Sequence, residues 1–434
     1  MQSEQTERSV RVPGDKSVTH RALILAALAT GRSRVHRPLI GADTQSTAAA
    51  LRSLGVNVPE LGNDVLIEGV GLHGLRSARS AIDCGNSGTT ARLLMGVLAG
   101  FPFESTLTGD SSLCSRPMRR VAAPLELMGA TFEELEREDR LPARIEGGAL
   151  RPLRYDSPHA SAQVKSAILL AGLTGSADVS VFEPYLSRDH TERMLAHIGV
   201  PLRTSRSADG RPGVGLSPVA QLQGFEIEVP GDLSSAAFII AHVLLAGTAP
   251  VRIRDVGLNP TRTGLIDVVQ RMGGRLHAEN VRESCGESLG DLVVERSDLR
   301  SAHIVGAEIP SLVDEVPVLA ILAAHAEGDT LIEGAGELRV KESDRIRAVV
   351  ENLTAIGASA EERPDGMLIR GAGGARPRLS GEVRVHADHR IAMAFGVLSS
   401  ITEGAVRIDD PGAVGVSFPG FWDVLAGRDA ELES

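Results

Sequence analysis

The sequence predicts an α/β protein of the α+β type, built from repeated two-helix units that are shared between two domains. Three observations support this prediction. Apolar helical segments that lead into a short strand recur along the 434 residues. Each segment is followed by a second helix that also ends at glycine. The tetrapeptide Val-Pro-Gly-Asp occurs twice, at 12–15 and at 229–232, which indicates two matching crossovers between the domains.

Six apolar helical segments end at a glycine and lead into a strand of alternating polarity. Their spacing of roughly 70–80 residues indicates internal duplication. These first glycines are Gly31, Gly100, Gly175, Gly247, Gly328 and Gly404. The second helix of each repeat ends at an aliphatic residue followed by glycine, the residue favoured just beyond a helix C-terminus. The second glycines are Gly55, Gly129, Gly199, Gly273, Gly357 and Gly427.

Six repeats in a chain of this length exceed what a single hydrophobic core accommodates, so we predict three repeats in each of two domains. Repeats one to three would occupy 15–229. Repeats four to six would occupy 230–434 together with 1–14. The crossovers would lie near 12–15 and 229–232.

Composition excludes several classes of protein. The net charge of −11 argues against a nucleic-acid or acidic-membrane partner, although local cationic clusters could still bind a small anion. Cys84, Cys114 and Cys285 show neither disulfide nor metal spacing, so we expect free thiols in a reducing compartment. The first ten residues lack the apolar segment of a secretion signal, and no apolar run reaches the length of a membrane span. We therefore expect a cytoplasmic protein.

Reactive side chains gather in the polar segments that precede the six apolar helices. These segments are 14–21, 83–92, 161–166, 231–235, 310–315 and 388–390. Unpaired N–H groups and the helix dipole favour anions at helix N-termini. If the repeats of a domain surround a common axis, these termini converge, and with their Lys and Arg side chains they would form an anion-binding site.

Three loops carry further basic clusters, at 115–118, 187–190 and 339–345. The last combines the cations Lys341 and Arg345 with Glu342, a candidate proton carrier. Other sites are excluded by spacing. The lysine of 14–17 lacks the upstream glycine of a phosphate-binding P-loop, and no dinucleotide fingerprint or metal-ligand motif occurs.

Nine motifs in chain order resemble those of the 5-enolpyruvylshikimate-3-phosphate synthase family. They are PGDKSxxHR, GNSGTTxR, SRPM, SAQVKSA, SRDHTE, NPTRTG, SLVDEVP, RVKESDR and ADHRIAM. The resemblance implies the enolpyruvyl transferase fold, with two globular domains that each hold three βαβαββ units in an inverse α/β barrel-like arrangement. It implies transfer of the enolpyruvyl group of phosphoenolpyruvate to the 5-hydroxyl of shikimate 3-phosphate. We expect a monomer without metal or organic cofactor.

The resemblance also implies which residues bind each substrate. Shikimate 3-phosphate would be bound by Lys16, Ser17, Arg21, Ser161, Ala162, Gln163, Arg188, Asp314 and Lys341. Phosphoenolpyruvate would be bound by Lys16, Asn86, Gly88, Arg116, Gln163, Arg345 and Arg390. Guanidinium groups suit such planar anions because they can form paired hydrogen bonds.

The implied chemistry is an addition followed by an elimination through a tetrahedral ketal. We assign Asp314 to the proton of the 5-hydroxyl and Glu342 to proton transfer at C3 of phosphoenolpyruvate. Lys16 would act as a charge stabiliser or as an alternative proton donor.

The chain departs from the family pattern near its C-terminus. Many members have a phosphoenolpyruvate-binding lysine where this chain has Val416. Gly88 stands where an alanine in some relatives excludes the inhibitor glyphosate, so we expect inhibition. Leu93 stands where other members have proline, which leaves the potency open.

The sequence leaves two alternative functions to be considered. UDP-N-acetylglucosamine enolpyruvyl transferases share the fold and the reaction type, but they would have asparagine in place of Ser17 and a loop cysteine farther from Arg116 than Cys114 is. The other alternative is a non-enzymatic anion-binding protein. The presence of both Asp314 and Glu342 argues against it, because binding alone requires neither acid.

Overall fold

The computed structural model describes residues 8–373, 377–402 and 404–428. The chain divides into two compact units. The N-unit consists of Gly14–Val229 and the pentapeptide Glu283–Glu287, and the C-unit consists of the remaining residues. The predicted domain of 1–14 and 230–434 includes that pentapeptide, and its residues 1–7, 374–376, 403 and 429–434 lie outside the described residues. The assignment of repeats to domains stays a prediction.

The described strands form six sheets. In chain order the strands are β1 (Arg8–Arg11), β2 (Ala29–His36), β3 (Asp64–Val70), β4 (Ile82–Asp83), β5 (Ser105–Thr108), β6 (Thr131–Glu134), β7 (Ala143–Glu146), β8 (Leu153–Asp156), β9 (Val179–Phe182), β10 (Leu202–Arg206), β11 (Pro212–Leu216), β12 (Leu222–Gln223), β13 (Glu226–Glu228), β14 (Val251–Gly257), β15 (Arg275–Ser284), β16 (Glu287–Glu295), β17 (His303–Ile304), β18 (Asp329–Ile332), β19 (Ser359–Arg363), β20 (Gly366–Arg370), β21 (Gly381–Val383) and β22 (Val406–Ile408).

Helices alternate with these strands. They are α1 (Lys16–Leu28), α2 (Ala42–Ser53), α3 (Gly88–Leu98), α4 (Arg119–Met128), α5 (Ala162–Thr174), α6 (His190–His197), α7 (Leu233–Ala246), α8 (Gly264–Arg271), α9 (Ile309–Leu312), α10 (Val316–His325), α11 (Arg345–Ala355), α12 (His389–Ile401) and α13 (Phe421–Leu425). Three short 3-10 helices occupy Leu113–Ser115, Gly336–Val340 and Pro411–Val416.

The N-unit contains three sheets of similar construction. In two of them a parallel strand pair joined by a helix is followed by an antiparallel hairpin, in the orders β4-β5-β7-β6 and β8-β9-β11-β10. In the third, β2 pairs in parallel with β12 and β13 and antiparallel with β3. The order β4, α3, β5, α4, β6, β7 is the expected βαβαββ unit, and the predicted fold class is confirmed.

The C-unit has two sheets of the same pattern, β1-β14-β16-β15 and β17-β18-β20-β19, and a parallel pair β21-β22. Its first strand comes from the start of the described chain, because β1 pairs in parallel with β14, with Val10 opposite Ile253. Conversely, β13 pairs with β2 of the N-unit. Each strand that precedes a Val-Pro-Gly-Asp segment, β1 or β13, therefore pairs with a strand far away in the sequence. Asp232 N–H donates to the Pro13 carbonyl at 2.8 Å, which joins the two segments.

The first helix of each complete repeat is buried along most of its length, because its residues are apolar on all sides. In the C-unit, α7, α10 and α12 pack against one another. In the N-unit, α3 packs closely against α5. A Cβ atom at Gly96 would lie 2.3 Å from the Ala167 carbonyl oxygen, so glycine is needed at this contact. Each unit has its own hydrophobic core.

The predicted second glycines are confirmed as helix stops. All six adopt positive φ angles, between 75° and 112°, in the left-handed region that glycine enters without strain. The first glycines behave less uniformly. Gly175 and Gly247 end α5 and α7, as predicted. The predicted stop at Gly31 is wrong, because α1 ends at Leu28 and Gly31 lies within β2, paired with Gly69.

All three cysteines are unpaired, which confirms the prediction of free thiols. Among the described residues, the helices are all too short or too polar to cross a membrane.

Candidate functional site

Side chains cap the first helix of each N-unit repeat and thereby set the positions of the predicted ligand-binding residues. Asp15 Oδ1 accepts from Val18 N at 2.9 Å in α1. Ser87 caps α3 and Ser161 caps α5 in the same manner. The residues that follow these caps are Lys16, Gly88 and Ala162. The predicted binding residues therefore occupy first helical turns, where unpaired N–H groups favour anions.

Arg21 is a buried guanidinium that joins three helices of the N-unit. Its Nε donates to Thr191 Oγ1 at 2.7 Å and its Nη2 to Ser166 Oγ at 3.0 Å. Its Nη1 donates to the Ser17 carbonyl at 3.0 Å. Burial lowers the pKa of Arg21. The charges of three carboxylates, Glu192 foremost, oppose this effect, and the charge of Arg188 adds to it. The direct hydrogen-bond partners of Arg21 are all uncharged, so they hold the guanidinium without neutralising it.

Lys16 and His20 lie on the same helix, and each contacts α2. Lys16 Nζ is 3.0 Å from Asp43 Oδ2. His20 Nδ1 is 2.7 Å from Thr47 Oγ1, which in turn lies 2.6 Å from Thr90 Oγ1 of α3. Burial lowers the pKa of His20 to about 3, so this imidazole is neutral at physiological pH.

Gly88 lies between two guanidinium groups. A Cβ atom at this position would be 3.4 Å from Arg116 Nη1 and 3.4 Å from Arg92 Nη1. Arg116 donates to Asn86 Oδ1, and the Asn86 amide donates to Asp110 at 2.7 Å. Three residues predicted to bind phosphoenolpyruvate, Asn86, Gly88 and Arg116, are thus neighbours.

Gln163 links the first turns of α5 and α3. It accepts from Arg92 Nη1 at 2.7 Å and donates to Thr89 Oγ1 at 3.1 Å. The prediction assigned no role to Arg92, although this arginine ends the GNSGTTxR motif. Its contacts with Gln163 and its position beside Gly88 place it among the predicted binding residues.

A buried ion-pair network supports the loop that carries Arg188. Lys165 Nζ lies 3.0 Å from Glu183 and 2.8 Å from Glu192. Burial acts to lower the pKa of Lys165, but the two glutamates outweigh it and raise that pKa. Glu183 also accepts from Ser161 N at 2.8 Å and from the hydroxyl of Ser187. Sequence reasoning missed Lys165, although it lies within the SAQVKSA motif.

Arg345 is the most deeply buried guanidinium among the described residues of the C-unit, and three carboxylates surround it. Asp388 takes two hydrogen bonds, from Nε at 2.8 Å and from Nη2 at 3.2 Å. Glu342 Oε2 accepts at 2.6 Å and Asp314 Oδ1 at 3.3 Å. Burial acts to lower the pKa of Arg345, but the charge of Asp388 and its neighbours raises it. In return, Arg345 outweighs the effect of burial on Asp388 and lowers its pKa.

Asp314 lies where three arginines meet. Besides Arg345, Arg390 Nε is 3.7 Å from its Oδ1 and Arg262 Nη1 is 3.8 Å from its Oδ2. Arg262 belongs to the NPTRTG motif and was assigned no role. Asp388 caps α12 by accepting from Arg390 N at 3.0 Å. The structure therefore brings Asp314, Glu342, Arg345 and Arg390 together.

Lys341 and Val416 lie at the ends of two 3-10 helices. The Lys341 ammonium is 3.8 Å from Glu337, and the side chain is partly exposed. Val416 is half-buried and offers an apolar side chain where many family members have lysine. Across residues 8–373, 377–402 and 404–428, His, Cys, Asp and Glu side chains form no cluster suited to a metal ion.

Comparison with known proteins yields one consistent family. A family model described as EPSP synthase (3-phosphoshikimate 1-carboxyvinyltransferase) matches residues 1–425. A curated relative from Geobacillus kaustophilus, named 3-phosphoshikimate 1-carboxyvinyltransferase, is 48% identical over 415 residues, which are 95% of each chain. A relative of the same name from Alkaliphilus metalliredigens is 45% identical over 422 residues, which are 97% of each chain.

Solved structures agree with these matches. An EPSP synthase from Acinetobacter baumannii superposes with a TM-score of 0.83 at 42% identity, covering 97% of this chain and 95% of that one. The enolpyruvyl transferase NikO from Streptomyces tendae superposes with a TM-score of 0.74 at 17% identity, covering 98% of this chain and 95% of that one. The second match shows a shared fold.

Proposed function

Because this chain belongs to the EPSP synthase family, we propose that it transfers the enolpyruvyl group of phosphoenolpyruvate to the 5-hydroxyl of shikimate 3-phosphate and releases phosphate. The family match extends over residues 1–425. Relatives at 45–48% identity bear the name of this reaction. The reaction belongs to the shikimate pathway of aromatic amino acid biosynthesis.

One observation in the site carries the proposal: both candidate acids contact the same buried guanidinium. Arg345 Nη2 binds Glu342 at 2.6 Å, and its Nη1 binds Asp314 at 3.3 Å. The reaction needs two proton-transfer groups, one at the attacking oxygen and one at C3. A shared guanidinium holds two such groups at a defined separation.

In the addition step the 5-oxygen forms a bond to C2 and loses its proton to Asp314, while C3 gains a proton from Glu342. In the elimination step Glu342 takes a proton back from C3 and the C2–C3 double bond forms again. The bond between C2 and the phosphate oxygen breaks, and Asp314 returns the hydroxyl proton to the departing phosphate. Lys16 would stabilise the negative charge or serve as an alternative proton donor. Protons and bonds balance over the two steps, and no redox partner is involved.

We assign shikimate 3-phosphate to Lys16, Ser17, Arg21, Ser161, Ala162, Gln163, Arg188, Asp314 and Lys341. The uncharged partners of Arg21 support the assignment, because its positive charge is left for an anionic ligand.

We assign phosphoenolpyruvate to Lys16, Asn86, Gly88, Arg116, Gln163, Arg345 and Arg390. Only 1% of the Arg345 side chain is exposed, so a ligand anion would reach it by displacing one of the three carboxylates. Glu342 is the most exposed of them, at 22%, against 13% for Asp314 and 0% for Asp388. Arrival of phosphoenolpyruvate would then release Glu342 from this guanidinium and allow it to act at C3.

The alternative acceptor, UDP-N-acetylglucosamine, is not favoured. The family model and the relatives reported above all bear the EPSP synthase name or that of its reaction. A non-enzymatic anion-binding role would leave the pairing of Asp314 and Glu342 on Arg345 without a purpose.

The deciding experiment measures phosphate release from phosphoenolpyruvate with two acceptors in parallel. We expect release with shikimate 3-phosphate and none above background with UDP-N-acetylglucosamine. Dialysis against a chelator should leave the rate unchanged, since we propose a reaction without metal or cofactor. Release with the nucleotide sugar alone would overturn the proposal.

We further propose that the protein acts as a monomer in the cytoplasm. The three free cysteines support a reducing compartment. Light scattering of the purified chain at several concentrations tests the oligomeric state, and a concentration-independent mass near 45.7 kDa is expected.

A further inference from the structure

The hairpin of β15 and β16 is divided between the two units along the chain. Strands β15 and β16 lie mostly in the C-unit, whereas the tip, Glu283–Glu287, belongs to the N-unit. Cys285 and Gly286 turn the chain with φ angles of 49° and 77°. A Cβ atom at Gly286 would lie 2.6 Å from the Arg193 carbonyl oxygen, so the tip is seated directly against α6.

The tip is built into the N-unit by burial and by hydrogen bonds. Cys285 is buried among the hydrophobic core residues of the N-unit. Burial raises the pKa of Cys285 to about 12, so this thiol stays protonated and packs as an apolar group. Ser284 Oγ accepts from Glu228 N at 2.8 Å, and the Gly286 carbonyl accepts from Arg193 Nη1 at 3.4 Å.

The last residue of the tip contacts the helix that follows the Arg188 loop. Glu287 Oε1 lies 2.9 Å from His190 Nδ1, and both side chains are at most 2% exposed. His190 is the first residue of α6, two residues after Arg188. The next residue, Thr191, accepts the 2.7 Å hydrogen bond from Arg21 Nε. Glu287 thus holds the turn that presents Arg188 and fixes Arg21.

We propose that Glu287 is a positioning residue for shikimate 3-phosphate. It acts through His190 on the first turn of α6, and so on Arg21 and Arg188, without contacting the substrate. This inference rests on the proposed function. It makes five residues from the second half of the chain part of the substrate-binding apparatus of the first half.

The test uses the full chain with Glu287→Ala and Glu287→Gln. We expect Glu287→Ala to raise the KM for shikimate 3-phosphate about tenfold, because the first turn of α6 loses the contact between Glu287 and His190. Glu287→Gln should raise it less, since its amide oxygen still accepts from the imidazole. The KM for phosphoenolpyruvate and kcat should stay within about twofold of the wild type, because none of the residues assigned to phosphoenolpyruvate lies on α6.

Glu279→Gln is the matched control. Glu279 lies on the same hairpin and also pairs with a histidine, His277, at 3.0 Å, but this pair is exposed and belongs to the C-unit. Its kinetic constants should equal those of the wild type. His190→Gln should reproduce the effect of Glu287→Ala, and the double variant should be no worse than either single change.

Separate measurements test the proposed reaction and the positioning role of Glu287. The proposed function is judged on wild-type turnover with shikimate 3-phosphate. The positioning role is judged on the ratio of variant to wild type. Circular dichroism establishes that each variant is folded, with Glu287→Gln replacing Glu287→Ala if the latter does not fold. The positioning role of Glu287 would be overturned by an unchanged KM for shikimate 3-phosphate in a folded variant. Equal changes in both KM values and kcat would overturn it as well.

Discussion

The two units bury an arginine in opposite ways. In the N-unit, Arg21 is held by a carbonyl and two hydroxyl groups, and its pKa is lowered by burial. In the C-unit, three carboxylates hold Arg345, and they raise its pKa against the effect of burial. We propose that the difference reflects two tasks. Uncharged partners would leave the charge of Arg21 to act on an anionic ligand, whereas the carboxylate partners of Arg345 would be held in place by its charge.

The substitution with the largest expected effect on activity removes a candidate acid of the C-unit. Glu342→Gln should lower kcat about 10³-fold, because general acid–base groups contribute factors of this size. Exchange of the C3 hydrogens of phosphoenolpyruvate with solvent deuterium, followed by NMR, measures the step directly. Glu351→Gln, an exposed change on α11, should leave both rates unchanged. Full exchange in Glu342→Gln would show that another group serves C3.

Replacement of Arg21 or Arg345 tests whether the two side chains contribute differently to the free energy of unfolding. Arg345→Met leaves the buried Asp388 uncompensated and should reduce the free energy of unfolding by about 3–5 kcal/mol. Arg21→Met removes hydrogen bonds to uncharged groups and should cost about 1–3 kcal/mol, while shikimate 3-phosphate binding is lost. Urea denaturation and titration calorimetry measure the two quantities. Equal destabilisation by both changes would contradict the contrast.

A smaller effect concerns the space beside Gly88. In Gly88→Ala the added methyl group would contact Arg92 and Arg116 at 3.4 Å each. We expect wild-type turnover to be inhibited by glyphosate, and this variant to need about tenfold more inhibitor, which corresponds to about 1.4 kcal/mol. Inhibition curves at fixed phosphoenolpyruvate test this. Wild-type activity that persists at millimolar glyphosate would refute the expectation.

The two units should also differ in their response to acid. The pKa of His20 is about 3 in the fold and 6.5 in the unfolded chain, so the unfolded chain binds more protons below pH 6.5. Stability should therefore fall between pH 6.5 and 3, by up to about 1.4 kcal/mol per pH unit. Asp43 opposes this shift in pKa, and Lys16 and Arg21 reinforce it. The pKa of Asp388 is lowered, so its contribution is present above pH 3.8 and is lost only below it.

Thermal unfolding at pH 7.5 and 5.0 measures this difference. The loss of Tm on acidification should be smaller in His20→Gln than in the wild type. Exposed His197→Gln serves as the control and should behave as the wild type does. An identical pH response in His20→Gln would show that the pKa of His20 does not differ between the folded protein and the unfolded chain.

Local features of the fold could be predicted from the sequence, whereas long-range pairing could not. The second glycines were predictable because a helix stop requires a left-handed residue at one position. Gly31 misled the prediction because β-pairing with Gly69 overrode the local signal. The repeated Val-Pro-Gly-Asp predicted the two crossovers, but the strands with which β1 and β13 pair depend on contacts that no local pattern encodes. The same holds for the inclusion of 283–287 in the N-unit.

The site shows the same division. Sequence motifs identified Asp314, Glu342 and Arg345 as candidates. The ion pairs around Arg345 also require Asp388, which is 43 residues away in the sequence. Lys165 was missed because a lysine within an apolar helix gives no signal of its buried glutamate partners. Those partners, Glu183 and Glu192, come from later in the chain and meet Lys165 only through the tertiary fold.

The long-range pairing of β1 and β13 has a consequence for synthesis on the ribosome. The N-unit completes its first sheet only after β12 and β13 have left the exit tunnel, and it acquires its pentapeptide tip later still. Residues 8–11, which are translated early, must wait for β14 and, through the 3.0 Å bond from Arg8 to the Val424 carbonyl, for nearly the whole chain. Such nonlocal closure slows folding. The nascent chain therefore keeps unpaired strands exposed for longer than its repeat architecture alone would require.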